Sequence, residues 1–195
     1  MNETRQAFLD ELYAHGRAHD EQRDDRLQRL RNVEPETAEL LGVLVRAMNA
    51  ARVLEIGTSN GYSTIWLGDA AESVGGTVLS LEIEAERTAL ATSNVDEAGV
   101  AEFVELRTQD AAEALRSFAD DAFDLIFLDA ERTHYVGYWP DLIRALRPNG
   151  LLVVDNTLSH AKELVEFSEL VYSDPAVTST LVTVGAGVML IVKAR

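Results

Sequence analysis

The sequence predicts an α/β fold, a doubly wound and mainly parallel sheet with helices on both faces and an antiparallel hairpin at its C-terminal end. Three observations predict it. From Arg52 onward, short apolar runs alternate with helical patterns without a break, as successive βαβ units require. Runs such as Leu125-Ile126-Phe127-Leu128 show no polar alternation and read as strands covered on both faces. The last two strand-like runs are separated only by Gly185-Ala186-Gly187, too short for a parallel crossover, so they must pair as a hairpin.

Taken in order, residues 3–31 carry a helical pattern (Phe8, Leu9, Leu12, Tyr13, then Leu27 and Leu30) broken by the polar stretch His15 to Asp25. With few apolar anchors, this segment suits a mobile arm, a lid or a dimer contact. Glu34-Pro35-Glu36-Thr37 starts a helix, with proline in the first turn and acids near the positive end of the dipole. Leu40, Leu41, Leu44, Val45 and Met48 mark its apolar face. Strands are then expected at 53–56, 77–82, 102–107, 123–129 and 151–155, with helices near 62–71, 85–98, 111–118 and 138–146. A helix at 162–172 and strands at 177–184 and 188–192 complete the chain. Residues 1–195 are expected to form one domain, with 1–50 a helical cap or arm and 51–195 the core.

Composition narrows the function. The chain has 195 residues, 47% of them hydrophobic, no cysteine and a formal net charge of −16. Disulfides, thiolate catalysis and cysteine-ligated metals are excluded. The negative charge argues against a nucleic-acid partner, whose phosphates need cationic patches. No run approaches the roughly 18 apolar residues of a membrane span, and the first residues carry no apolar signal region. The expectation is a cytoplasmic protein acting on a small molecule. Lysine is scarce, with only Lys162 and Lys193 against fifteen arginines.

The informative stretch is Arg52 to Tyr62, R-V-L-E-I-G-T-S-N-G-Y, where a strand runs through a glycine-flanked turn into a helix. That arrangement offers a helix N-terminus to a ligand at the carboxyl edge of a sheet. Three readings compete. One is a nucleotide-type cofactor site, with Glu55, Gly57, Thr58, Ser59, Gly61, Tyr62 and Ser63 close to the ligand. A second is a nucleophile elbow, because Gly57 to Gly61 also fits G-x-S-x-G. The third is a tight turn with no chemistry. An elbow normally follows several strands, whereas everything before Arg52 reads helical.

The other strand ends add acids. Glu82 closes the second strand, where an acid often accepts both hydroxyls of a ribose. Asp110-Ala111 follows the third, where an adenine can rest, although Asp110 is equally placed to cap the next helix. Asp129, Asp155 and Asn156 close the fourth and fifth strands. These are hard oxygen ligands that suit Mg²⁺, or ordinary turn caps.

V-L-E-I-G-T-S-N-G-Y-S-T (53–64), Glu82, Gln109-Asp110-Ala111, L-D-A-E-R-T-H-Y (128–135), R-P-N-G-L-L-V-V-D-N (147–156) and G-A-G-V-M-L-I-V-K (185–193) occur in the order seen in cation-dependent O-methyltransferases. The chain resembles that family, which includes catechol and caffeoyl-CoA enzymes, over roughly residues 33–195. The resemblance implies a methyltransferase sheet with S-adenosylmethionine in the glycine turn, its ribose on Glu82 and its adenine near Asp110 and Ala111. It also implies a divalent metal, Mg²⁺ or another, on Asp129, Asp155 and Asn156, and a small catechol-like acceptor; relatives are often homodimers. Two departures stand out. Arg132 replaces the family's lysine, and a guanidinium cannot take a phenolic proton but can stabilise a phenolate. His134, His160 and Lys162 are the other candidates for base. The segment after Asn156 is also short and lacks an aromatic. A metal-independent methyltransferase and a cofactor-binding protein without turnover are the alternative readings.

Overall fold

The computed structural model describes residues 1–194. Two helices, α1 (Glu3–Glu21) and α2 (Pro35–Met48), precede the alternating core. The core runs β1 (Arg52–Ile56), α3 (Tyr62–Val74), β2 (Thr77–Glu82), α4 (Ala85–Glu97), β3 (Val104–Thr108), α5 (Ala111–Ser117), β4 (Phe123–Leu128), α6 (Tyr135–Ala145), β5 (Leu146–Val154), α7 (Val165–Ser173), β6 (Val177–Val182) and β7 (Val188–Lys193). The sheet order is β3-β2-β1-β4-β5-β7-β6. Strands β1 to β5 are parallel, and β7 lies antiparallel between β5 and β6. The order reverses between β1 and β4, where an open sheet of this kind forms its ligand crevice.

Each face of the sheet has its own core. Leu9, Leu41, Val45, Ile65, Leu67 and Phe127 pack one side under α1 to α3, while Leu54, Ile126, Tyr135, Leu142, Leu152 and Phe167 pack the other under α5 to α7. Strand β4, Phe123 to Leu128, is fully buried, which accounts for its uninterrupted apolar run Leu125 to Leu128. Among the described residues, no helix is long and apolar enough to cross a membrane.

Several boundaries differ from the sequence reading: α3 runs on to Val74, α7 begins at Val165 rather than Lys162, and β6 ends at Val182 rather than Val184. Four others have a local cause. Helix α1 continues through His15 to Glu21, because its buried face is Arg5, Leu9, Leu12 and Gly16, which an apolar pattern registers only in part. Strand β3 starts two residues late, since Ala101–Phe103 forms a single helical turn first. Strand β5 begins at Leu146: Leu146 pairs with Phe123 and Leu151 with Leu125, so Arg147 to Gly150 are accommodated as an irregularity inside the strand. Helix α6 starts at Tyr135 rather than Tyr138, directly after the turn Arg132–His134.

Candidate active site

The carboxyl ends of β1, β2, β4 and β5 are laced together by backbone. Gly57 N donates to Leu81 O (3.0 Å), Asp129 N to Ile56 O (3.0 Å) and Asp155 N to Leu128 O (3.2 Å). Gly57 has φ +105°, and a Cβ there would collide with the Asp129 carbonyl oxygen, so only glycine allows the two loops to pass so closely. A cavity of about 510 Å³ opens above these ends, a size usual for small-ligand sites.

Its floor beside β1 is the glycine turn. Ser59, at φ +52°, donates its N–H to Glu82 Oε2 (2.8 Å) and its hydroxyl to Leu30 O (2.6 Å). The hydroxyl is therefore committed to the segment between α1 and α2, which removes the nucleophile-elbow reading. Glu82 Oε1 accepts from the N–H groups of Ile83 and Glu84, both at 3.0 Å. These bonds fix the carboxylate at the cavity wall while leaving lone pairs for a hydroxylated ligand. Asp110 caps α5 through Glu113 N (2.9 Å) and also lines the cavity with Ala111.

Of the residues expected at the cofactor, Gly57, Thr58, Ser59, Tyr62, Ser63, Glu82, Asp110, Ala111 and Asp129 line the cavity. Glu55 and Gly61 do not line it and lie just behind it. Gly61 sits at φ +85° against Ala91. Glu55 is fully buried beneath the turn, its carboxylate taken by the hydroxyls of Ser63 (2.6 Å), Thr64 and Ser80 (2.6 Å). It braces the first turn of α3 from below. Burial pushes its carboxyl up to about 7, against the pull of those hydroxyls and with help from the charge on Asp129. Between the ordinary 4.5 and that value, the folded state holds a proton that the unfolded chain has lost. This group's contribution therefore falls as pH rises, by on the order of 3 kcal/mol in all. Denaturant titrations at pH 5, 6 and 7 are expected to show a shallower loss of stability in Glu55→Gln than in the native protein; equal slopes would contradict the assignment.

Asp129, Asp155 and Asn156 meet on the cavity floor. Asn156, held at φ +63°, points its Nδ2 at Asp129 Oδ1 and Asp155 Oδ2, both 3.0 Å away. The amide N–H₂ group bonds both carboxylates, and a half-turn of the amide would present its oxygen beside theirs as a third hard donor. Asp155 Oδ1 is buried without a hydrogen-bond partner. Burial pushes both carboxyls above their usual range, and the charge of Asp129 raises Asp155 further. On Asp129, Arg31 and Arg132 oppose the rise. Two desolvated carboxylates with an unsatisfied oxygen fit a hard divalent cation. Among the described residues, no three His, Cys, Asp or Glu side chains converge on one point, so the candidate set is two carboxylates and one amide.

The loop carrying Asp129 is shaped by Tyr135, whose hydroxyl accepts from Ala130 N (2.8 Å) and donates to Ala130 O (3.0 Å). Arg132 is buried and donates its Nε to Glu163 Oε2 at 2.8 Å. His134 and His160 reach the cavity, His134 stacked on Tyr138 with ring centroids 5.8 Å apart, whereas Lys162 does not line it. The strap 22–34 closes one side of the cavity; the sequence reading allowed a lid there but not the bonds that hold it. Arg87 holds the strap through the carbonyls of Leu27 and Arg29, and Asp20 accepts from the N–H groups of Leu30 (2.7 Å) and Arg31 (2.8 Å).

A glycine turn on β1, an acid closing β2 and a pair of acids closing β4 and β5, all facing one cavity, define a Rossmann-like fold of the methyltransferase class. The chain belongs to the O-methyltransferase family, whose model matches residues 21–194. It is 35% identical over 149 residues to a catechol O-methyltransferase of Niastella koreensis and 38% identical over 134 residues to one of Mycobacterium tuberculosis. Those matches cover 75% and 69% of this chain but 65% and 60% of the relatives, so the chain spans less than two thirds of their length. Among solved structures, it superposes on the O-methyltransferase from Bacillus cereus in complex with SAH, with a TM-score of 0.79 and 28% identity over 99% of this chain and 91% of that one. It matches TomG from Streptomyces achromogenes, an O-methyltransferase of tomaymycin synthesis in complex with SAM, with a TM-score of 0.79 and 29% identity over 100% and 91% of the two chains.

Proposed function

We propose that the protein is an S-adenosylmethionine-dependent O-methyltransferase acting on a small catechol-like acceptor with the help of a divalent cation. The observation that carries this reading is the pair Asp129 and Asp155, desolvated side by side beyond the glycine turn, with one carboxylate oxygen unpartnered. S-adenosylmethionine would supply the methyl group, and a cation held by Asp129, Asp155 and Asn156 would supply Lewis-acid activation of the acceptor hydroxyl.

The chain's own residues do the rest. Glu82, preset by three backbone N–H groups, receives the ribose hydroxyls, and Asp110 with Ala111 bounds the adenine. The turn Ser59 to Tyr62 and the N-terminus of α3 cradle the amino-acid end. Arg132, fixed by Glu163, stabilises the negative charge on the acceptor oxygen; a guanidinium cannot accept the proton, which leaves for solvent or for His134 or His160 on the cavity wall. Most of the remaining acceleration comes from holding two reactants in line in the cavity.

The test is methyl transfer from labelled S-adenosylmethionine to a panel of catechols, in Mg²⁺ and again in excess EDTA. Transfer abolished by EDTA is the expected result. Transfer that survives EDTA would remove the metal role from Asp129, Asp155 and Asn156, and silence in both tubes with S-adenosylhomocysteine still bound would favour binding without turnover.

A further inference from the structure

The chain carries a formal charge of −16, yet one wall of its cavity holds more guanidinium groups than carboxylates to pair them. Arg26 and Arg31 come from the strap between α1 and α2, and Arg132 from the turn after β4. Two acids serve the three. Glu131 lies 2.7 Å from Arg26 and 2.9 Å from Arg31, and Glu163 lies 2.8 Å from Arg132 and 3.7 Å from Arg26. Glu34, on the same side, accepts from the Tyr13 hydroxyl at 2.6 Å. Arg31 uses Nη1 for Glu131, and its Nε and Nη2 make no hydrogen bond among the described residues. That leaves one edge of a planar fork free, the geometry that receives a carboxylate with two parallel bonds. Arg31 is also close enough to Asp129 for its charge to act on that carboxyl. Residues 157–164, of which His160 lines the cavity, contain no phenylalanine, tyrosine or tryptophan to clamp a flat neutral ring from that side.

We infer that the acceptor is an anionic catechol, carrying a carboxylate that Arg31 receives while its hydroxyls face Asp129 and Asp155. The inference rests on the catechol reading above and adds the charge of the substrate. Arg31 is the specificity-determining residue, Arg26 adds to the field, and Glu131 sets how much of that positive charge reaches the acceptor.

The experiment compares kcat/KM for 3,4-dihydroxybenzoate and its methyl ester in the holoenzyme with Mg²⁺. The native protein should favour the acid by about tenfold or more, mainly through KM, as a charge-assisted bond predicts. Arg31→Gln should bring the ratio close to one, and Arg31→Lys should restore part of it. Glu131→Gln separates recognition from simple fastening of the strap. It breaks the Arg31–Glu131 pair that Arg31→Gln breaks, and the Arg26–Glu131 pair as well, but frees positive charge, so the ratio should hold or rise. A native ratio at or below one overturns the inference, as does an unchanged ratio in Arg31→Gln or a collapse in Glu131→Gln. No transfer to either acceptor, with S-adenosylhomocysteine still bound, overturns the catechol reading and this inference with it.

Discussion

Alanine at Asp155 is expected to lower methyl transfer by on the order of 10³-fold, because Lewis-acid activation of a hydroxyl is worth several kcal/mol and each 1.4 kcal/mol is about tenfold. Affinity for S-adenosylhomocysteine should stay within roughly threefold, since no cofactor contact is assigned to Asp155 and the expected loss is confined to the reacting end. Asp155 separates the roles better than Asp129, whose carbonyl packs directly on Gly57 of the cofactor turn. Nor should the substitution unfold the protein. It removes one of two like charges that burial and their mutual proximity already disfavour. Single-turnover rates, calorimetric titration with S-adenosylhomocysteine and a melting curve read the three quantities independently. Loss of cofactor binding equal to the loss of rate would assign Asp155 to the cofactor, and full activity would remove it from the site.

The acids at the strand ends were legible because buried parallel strands are written as continuous apolar runs, and each run stops at the residue facing the crevice. Asp129 follows the fully buried Phe123 to Leu128, and Asp155 follows Leu151 to Val154 in the same way. The alternation does not show what Glu55 bonds to. That residue occupies a position inside β1, opposite Ser80 in the register, so its side chain finds hydroxyls from a neighbouring strand and from α3. That pairing is long-range and leaves no local signature. The strap is a different case. Its order comes from side-chain bonds to backbone, such as Asp20 to Leu30 and Arg87 to Leu27 and Arg29, and periodicity carries no trace of such bonds. Helix α1 was half-read because its contact face begins with an arginine and ends with a glycine. Both are buried for reasons a hydrophobic pattern does not encode.

That arginine carries the second large prediction: Asp69→Ala should destabilise the protein by about 3 kcal/mol, the loss expected when one partner of a buried ion pair is removed. Asp69 is 4% exposed and lies on α3, facing both N-terminal helices. Arg5 of α1 bonds it directly, Arg46 of α2 reaches its other oxygen at 2.5 Å, and the Met1 amino group lies 3.4 Å away. Arg5 is itself buried, with further bonds to Glu72 and to the carbonyls of Ala98 and Gly99. The guanidinium therefore cannot swing into water when Asp69 is lost, and a desolvated cation is left with one partly exposed acid. For a chain of this size the melting temperature should fall by roughly 6–12 °C. A shift below about 2 °C would place the network among surface pairs of little worth. The double change Arg5→Met with Asp69→Leu should recover much of the loss, because an apolar pair needs no desolvation of charge. Recovery of stability in the double variant would identify electrostatic desolvation, and not helix packing, as the origin of the single variant's loss. Asp20, near the end of the same helix, holds the backbone N–H groups of Leu30 and Arg31, so a loosened α1 should also slacken the strap. Limited proteolysis should then cut Asp69→Ala first within residues 22–33, and should spare that segment in the double variant.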